Sequence, residues 1–130
     1  MNAENRKRLT MFIGECWHET EEKGGYYKGG GYSDPGREFY VERYQQCKKC
    51  HVVGASNRTF REPTDAYAVK DELVRRGLWE KFTNFAIARC DYNNLIGSIF
   101  AYACNWLFSP DESGDQRLCV LAGEWLKEGR

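Results

Sequence analysis

The chain has 130 residues, a length typical of one domain that can bury a core of its own. Apolar residues make up 42% of the sequence and aromatic residues 15%, which excludes wholesale disorder. Lys plus Arg and Asp plus Glu both number 19, so the net charge is zero, and composition gives no whole-surface attraction to nucleic acid or anionic lipid.

The first fifteen residues, MNAENRKRLTMFIGE, are polar and then amphipathic. They lack the apolar core and small-residue cleavage site of a secretory signal, and no stretch of the chain approaches the roughly 20 apolar residues of a membrane span. We therefore expect a cytoplasmic protein without a membrane partner, whose six cysteines stay reduced. Paired cysteines in a reducing compartment indicate metal binding more often than disulfides.

The sequence pattern of the first half of the chain, residues 1–62, predicts one short helix followed by a β-rich region. The helix runs from about Ala3 to Ile13. Residues 24–36, GGYYKGGGYSDPG, are too rich in glycine for a regular element and predict a mobile loop. The alternating run REFYVERY predicts a strand that buries Phe39 and Val41, and the CKKC turn after it leads to a short strand near residues 51–53.

The second half, residues 63–130, predicts helices. Pro63 opens this half, and Thr64 or Asp65 can cap a first helix that runs to about Arg76. Apolar residues then recur every three or four positions in three further stretches, from Trp79 to Cys90, from Ile96 to Leu107 and from Leu118 to Leu126. The cysteines in these patterns are expected to be small buried residues of the core: Cys90, Cys104 and Cys119.

The strongest chemical signal is a C-x-H run at residues 16–18 together with C-x-x-C at residues 47–50. Zinc prefers thiolate and imidazole ligands in a tetrahedron, and a closed four-ligand site is structural. A C-x-x-C turn brings two sulfurs to one ion, and alternation along an extended segment places Cys16 and His18 on the same side. We predict one structural Zn²⁺ ion held by Cys16, His18, Cys47 and Cys50.

Alternatives for these residues stay open. The cysteines could be free and buried, or they could form disulfides, which requires export. Residues 47–51 also spell the C-x-x-C-H motif of haem attachment, which requires export as well. His51 could replace His18 as the fourth ligand. We favour His18, because a histidine directly after the second cysteine strains a tetrahedral chelate.

Aromatic and basic residues surround the metal motifs. A flexible tyrosine-rich loop suits protein contact, since tyrosine offers a large contact area at low entropy cost. The predicted partner-binding residues are Tyr26, Tyr27, Lys28, Tyr32, Lys48 and Lys49. Basic and aromatic side chains together can also bind single-stranded nucleic acid, which keeps a zinc-stabilised nucleic-acid module as an alternative.

The sequence contains neither a G-x-S-x-G nor an H-E-x-x-H motif. Glutamates crowd the first metal arm, but a glutamate serves as a base beside zinc only when a coordination position is open. We therefore predict that the chain is not an enzyme, with an enzyme or small-ligand binder as a further alternative.

Six runs of this chain resemble small proteins encoded in tailed phages and prophages: LTMFIGECWHE, CKKC, NRTF, PTDAYAVKDELVRRGLWEKF, WLFSP and LCVLAGEWLKEG. In such proteins a C-W-H-E run is followed by C-x-x-C after a shorter gap, with glycine after the second cysteine, where this chain has His51. The resemblance implies a phage accessory protein made inside a bacterial host. Such proteins commonly bind and block a host protein, and an anti-CRISPR-type or other anti-defence inhibitor is the concrete form.

We therefore predict an α+β fold in a single domain. A small zinc-tied β region, similar to a ribbon or knuckle, is expected to pack on three or four helices. The oligomeric state stays open, since exposed edge strands beside the glycine loop permit a dimer.

Overall fold

The structure, a computed structural model, describes residues 1–28, 38–90 and 105–129. Its elements in chain order are α1 (Ala3–Phe12), β1 (Thr20–Lys28), β2 (Glu38–Cys47), α2 (Pro63–Arg75), α3 (Trp79–Ala88) and α4 (Arg117–Lys127). Helices together with an antiparallel two-stranded sheet confirm the predicted α+β class. The predicted helix from Ile96 to Leu107 lies mostly outside the described residues, and its described end, 105–107, is helical.

The chain divides into two compact units. The helical unit comprises Met1–Glu15 and Arg58–Arg130, and the hairpin unit comprises Cys16–Asn57. These boundaries differ from the division into residues 1–62 and 63–130, because α1 packs with α2 and α4 rather than with the strands. The hairpin unit is thus an insertion between α1 and the remaining helices.

The helical unit contains the apolar core of the described chain. Helix α4 packs against α1, α2 and α3. Gly123 on α4 faces α1 so closely that a Cβ there would lie 3.3 Å from Cβ of Asn5. The fully buried core side chains are Leu9, Phe60, Val69, Leu73, Phe82, Leu118, Cys119 and Ala122. Among the described residues, no helix has the length and apolar character needed to cross a bilayer.

Local capping explains where two of these helices begin. The side chain of Asn2 accepts a hydrogen bond from Asn5 N at 2.8 Å at the start of α1. At α2 the N-cap is Glu62 and not Thr64 or Asp65, because Pro63 already lies in the first turn. Asp65 is the third residue of the helix, and its carboxylate accepts a hydrogen bond from Glu62 N at 3.2 Å. Cys90 and Cys119 are buried as expected, and Cys104 lies outside the described residues.

The hairpin unit pairs β1 with β2, and this pairing corrects the predicted loop over residues 24–36. Its first five residues, 24–28, belong to strand β1, and residues 29–36 lie outside the described part. The register shifts between Lys23 and Gly25, where Gly24 and Gly25 take φ of +91° and +103°. The glycines therefore allow an irregular strand instead of ending it.

Strand β2 was predicted correctly, but its buried face was not. Phe39 and Val41 are 50% and 38% exposed, and the strand is exposed from Glu38 to Tyr44. The reason is that the described apolar core cluster lies wholly in the helical unit, so the hairpin unit has no such cluster of its own to cover these side chains. The short strand expected near residues 51–53 is a single bridge between Gln46 and Val53.

Candidate metal centre

Four residues of the hairpin unit converge from two separate parts of the chain. Cys16 and His18 lie in the irregular segment between α1 and β1, Cys47 is the last residue of β2, and Cys50 lies in the turn that follows. Their ligand atoms all lie within 4.8 Å of one another, close enough to hold a metal ion. The structure therefore brings together the four residues that the sequence predicted.

Two distances within the cluster are close to the edges of a tetrahedral zinc site. Cys16 Sγ lies 3.8 Å from Cys47 Sγ, and Cys50 Sγ lies 3.4 Å from His18 Nδ1. Zinc bonds of about 2.3 Å to sulfur and about 2.0 Å to nitrogen place two sulfurs roughly 3.8 Å apart and a sulfur–nitrogen pair roughly 3.5 Å apart. These two donor pairs are thus spaced as around one tetrahedral ion, and all four donors lie close enough to hold one ion.

The turn after β2 is closed by backbone hydrogen bonds. His51 N donates to Cys47 O at 3.0 Å, and Lys48 N donates to Glu19 O at 2.9 Å, which ties the turn to the first metal arm. His51 has a φ of +64°, in the left-handed region that favours glycine.

His51 is not a member of the ligand group found among the described residues, whereas His18 is. Its carbonyl oxygen accepts a hydrogen bond from Gln46 Nε2 at 2.9 Å, and the residue is exposed. The fourth candidate ligand is therefore His18, which agrees with the expectation that His51 would strain a tetrahedral chelate.

Asn57 holds the backbone of His18 and was missed by the sequence reasoning. His18 N donates to Asn57 Oδ1 at 2.7 Å, and Asn57 Nδ2 donates to His18 O at 3.0 Å. These two bonds fix the segment that carries the imidazole. The residues are 39 positions apart, and an asparagine in a loop gives no local signal of such a role.

The surroundings of Cys47 and Cys16 shift the pKa values of their thiols in opposite directions. The backbone N–H of Cys50, then the side chain of His18 and the backbone N–H of Lys49, lower the pKa of Cys47 to about 5. Burial, then hydrogen bonds with Cys47 and Cys50, raise the pKa of Cys16 to about 11. The thiolate form of Cys47 is therefore favoured near neutral pH, and binding of a metal ion by Cys16 must displace its proton.

The predicted partner-binding residues lie mostly in the same unit. Tyr26 and Tyr27 are exposed on β1, Lys48 and Lys49 are exposed in the turn, and Tyr32 lies outside the described residues. Lys28 ends β1 opposite Glu38. Lys49 Nζ approaches Glu19 Oε1 at 3.7 Å, so the charge of the turn is partly balanced within the unit.

Aromatic rings pair across the two strands on both faces of the hairpin. Tyr26 and Tyr40 have ring centroids 5.0 Å apart, and Tyr27 and Phe39 have centroids 5.7 Å apart. Because consecutive residues of a strand point to opposite faces, the two pairs lie on opposite faces. We name them the Tyr40 face (Tyr26, Tyr40) and the Phe39 face (Tyr27, Phe39, Val41).

The site thus consists of a four-ligand cluster at the base of an exposed aromatic hairpin. Three thiols and one imidazole are donors that could together hold one metal ion. Comparison with protein-family models, with curated proteins and with solved structures found no match to the chain.

Proposed function

We propose that Cys16, His18, Cys47 and Cys50 hold one structural zinc ion, and that the chain acts by binding another protein through the hairpin unit. The observation that carries this proposal is the convergence of four ligand atoms within 4.8 Å in a unit outside the apolar core. Three thiolates and an imidazole are soft donors that suit zinc, and a tetrahedron of such ligands is its usual structural site.

The metal supplies the stability that the hairpin unit lacks. An isolated two-stranded hairpin is marginal in water, whereas ligand closure around zinc contributes on the order of 10 kcal/mol in small zinc-dependent folds. The ion therefore acts as the core of this unit, and the aromatic hairpin keeps its form only while the ion is bound.

Metal analysis of the purified chain tests the first part of the proposal. We expect one zinc ion per chain, which His18→Ala should remove or weaken by at least about tenfold. His51→Ala is the matched control, because it replaces the other histidine of the chain and should retain the metal. Full metal content in His18→Ala, or loss of metal in His51→Ala, would contradict the assignment.

The hairpin is also the surface that we expect a partner to contact. Tyr26, Tyr40 and Phe39 are 75%, 55% and 50% exposed, and tyrosine is enriched at protein interfaces. Salt bridges join Lys23 to Glu21 and Arg43 to Glu22, so much of the hairpin's charge is balanced within it. A balanced aromatic surface favours a protein over nucleic acid as the partner.

The resemblance to phage-encoded proteins supports a bacterial host protein as that partner. In this proposal the chain is an anti-defence inhibitor that binds and blocks a host defence complex, as an anti-CRISPR protein does. Binding without catalysis is sufficient for such a role, since a small protein can occlude an active or assembly surface.

Affinity capture from a bacterial host lysate tests the partner. The zinc-loaded chain serves as bait beside two variants, the double variant Tyr26→Ser/Tyr40→Ser and the control Met11→Ser, an exposed residue of the helical unit. We expect the wild-type chain to capture one host protein even after nuclease treatment. Tyr26→Ser/Tyr40→Ser should lose this protein and Met11→Ser should retain it. The chain should also inhibit the defence activity of the captured protein. Capture that nuclease abolishes, or that both variants retain, would overturn the proposal.

A further inference from the structure

The side chain of Arg58 joins two carboxylates that come from separate parts of the helical unit. Its Nε and Nη2 donate to the two oxygens of Glu15 at 2.6 and 2.7 Å, and its Nη1 donates to Asp65 Oδ1 at 2.8 Å. Exposed ion pairs usually contribute little to stability, but a bidentate pair of arginine and carboxylate is an exception. The side chain of Asp65, in the first turn of α2, is also only 7% exposed. We name Glu15, Arg58 and Asp65 the Arg58 clamp.

The Arg58 clamp lies at the two places where the chain passes from one unit to the other. Glu15 is the last residue of the helical unit before the hairpin unit begins at Cys16, and Arg58 is the first residue after the hairpin unit ends at Asn57. Glu15 N also donates to Thr10 O at 3.0 Å, which ties Glu15 to the end of α1. The clamp therefore holds together the two ends of the inserted segment 16–57.

The residues next to the clamp in sequence belong to the candidate metal centre. Cys16 directly follows Glu15 and is a candidate ligand, and Asn57 directly precedes Arg58 and holds the backbone of His18. Bringing together the ends of a flexible segment costs conformational entropy, and this cost opposes metal binding when the metal has to close the segment by itself. A contact that closes the segment beforehand removes part of that cost, so it should strengthen metal binding.

We propose that Arg58 is a positioning residue for the metal centre: by joining Glu15 to Asp65 it closes the base of the inserted segment and raises the affinity of the four candidate ligands for their ion. Arg58 is not itself a candidate ligand, and it acts through the chain on either side of the inserted segment. This inference rests on the proposed zinc ion and does not depend on the proposed protein partner.

The zinc affinity of the purified chain, measured by competition with a zinc indicator, tests this role. Glu15→Ala removes the bidentate partner and leaves the pair between Arg58 and Asp65, so we expect zinc to bind about tenfold more weakly. Glu128→Ala is the matched control, because Glu128 is also paired with an arginine of the helical unit, Arg89, at 3.6 Å, but lies at the end of α4. It should leave the zinc affinity unchanged, and thermal unfolding of the helices should shift no more in Glu15→Ala than in Glu128→Ala.

A double-mutant cycle separates an effect that passes through Arg58 from a general effect of the lost negative charge. Arg58→Ala should weaken zinc binding at least as much as Glu15→Ala, and adding Glu15→Ala to it should cause no further loss, because the pair is already broken. Arg58→Lys should recover only part of the affinity lost in Arg58→Ala, since an ammonium group cannot reproduce the bidentate fork. The absorption spectrum of the Co²⁺-loaded chain should keep its shape in every variant, because the ligands themselves are unchanged.

Equal zinc affinities for wild type and Glu15→Ala would overturn this role for Arg58 and leave the zinc assignment in place. A further tenfold loss when Glu15→Ala is added to Arg58→Ala would do the same. A wild-type chain that binds no zinc would overturn the assignment, and the role of Arg58 with it. Because Glu15→Ala leaves Asp65 paired, this variant carries the test even where Arg58→Ala destabilises α2.

Discussion

The helical unit and the hairpin unit rely on different sources of stability. In the helical unit, Leu9, Leu73 and Phe82 are fully buried in one continuous apolar cluster. Within Cys16–Asn57, Gly25 and Cys47 are the buried positions among the described residues. In the hairpin unit a cysteine of the candidate metal cluster thus occupies the kind of buried position that apolar core residues fill in the helical unit.

The contrast explains why a strand rich in aromatic residues can remain exposed. Apolar burial contributes about 25 cal/mol for each Å² removed from water, and the exposed strands gain little of it. The backbone ladder and the ligand cluster must therefore hold the hairpin unit together, which leaves its apolar side chains available for contacts with other chains.

Removing the metal should show the difference in stability between the two units most clearly. Cys47→Ser, or a chelator, is expected to abolish slow amide exchange throughout residues 16–57 while the helices keep their protection, because ligand closure supplies most of the stability of the hairpin unit. Hydrogen exchange read residue by residue measures this. Cys119→Ala is the reciprocal control, since it removes a buried sulfur from the helical core and should leave the metal bound. Hairpin amides that stay protected without metal would contradict the comparison.

Truncating a side chain of the helical core should destabilise the helices and leave the metal-bound hairpin unit in place. Phe82 is fully buried and contacts Trp125 edge-on, with ring centroids 5.7 Å apart. Phe82→Ala should lower the free energy of unfolding of the helices by about 3–5 kcal/mol because it leaves a cavity. Denaturant titration followed by helical circular dichroism measures it. Val74→Ala, at a 52% exposed site on α2, should change it by no more than about 0.5 kcal/mol.

Alanine substitutions of Gly24 and Gly25 test how closely β1 approaches the backbone of β2. A Cβ on Gly24 would lie 2.6 Å from Glu42 O, whereas one on Gly25 would meet no atom within 4 Å. Both residues have positive φ, so both alanine variants incur a backbone cost of about 1 kcal/mol. The clash with the β2 backbone adds about 1.4 kcal/mol, so Gly24→Ala should bind zinc about tenfold more weakly than Gly25→Ala. Competition with a zinc indicator measures both affinities, and equal values would contradict the close approach.

The smallest expected effect concerns an ion pair on α2. Hydrogen bonds from Arg75 and Arg76 lower the pKa of Glu72 to about 2, from an ordinary value of 4.5. A lowered pKa stabilises the fold fully above pH 4.5, and that contribution is lost as the pH falls towards 2. Glu72→Gln should therefore differ slightly from wild type in helical stability at neutral pH and converge with it near pH 2. Thermal unfolding across this range measures the difference, and a difference independent of pH would contradict it.

Local chemistry was enough to predict several features of this protein. Spacing of apolar residues predicted the helices α1 to α4, Pro63 indicated the start of α2, and alternation predicted strand β2. The C-x-H and C-x-x-C motifs were also readable as candidate ligands, because each of them brings two donors together within a few residues. Each of these signals depends on neighbours in the chain, which the sequence shows directly.

Long-range packing decided the rest. Residues 24–28 are glycine-rich, yet they form a strand because β2 pairs with them, and Phe39 and Val41 are exposed because the apolar core lies in the other unit. Asn57 reaches His18 across 39 positions of sequence. Strand pairing, burial and such supporting hydrogen bonds depend on which segments meet in space, and local propensities carry no information about those meetings.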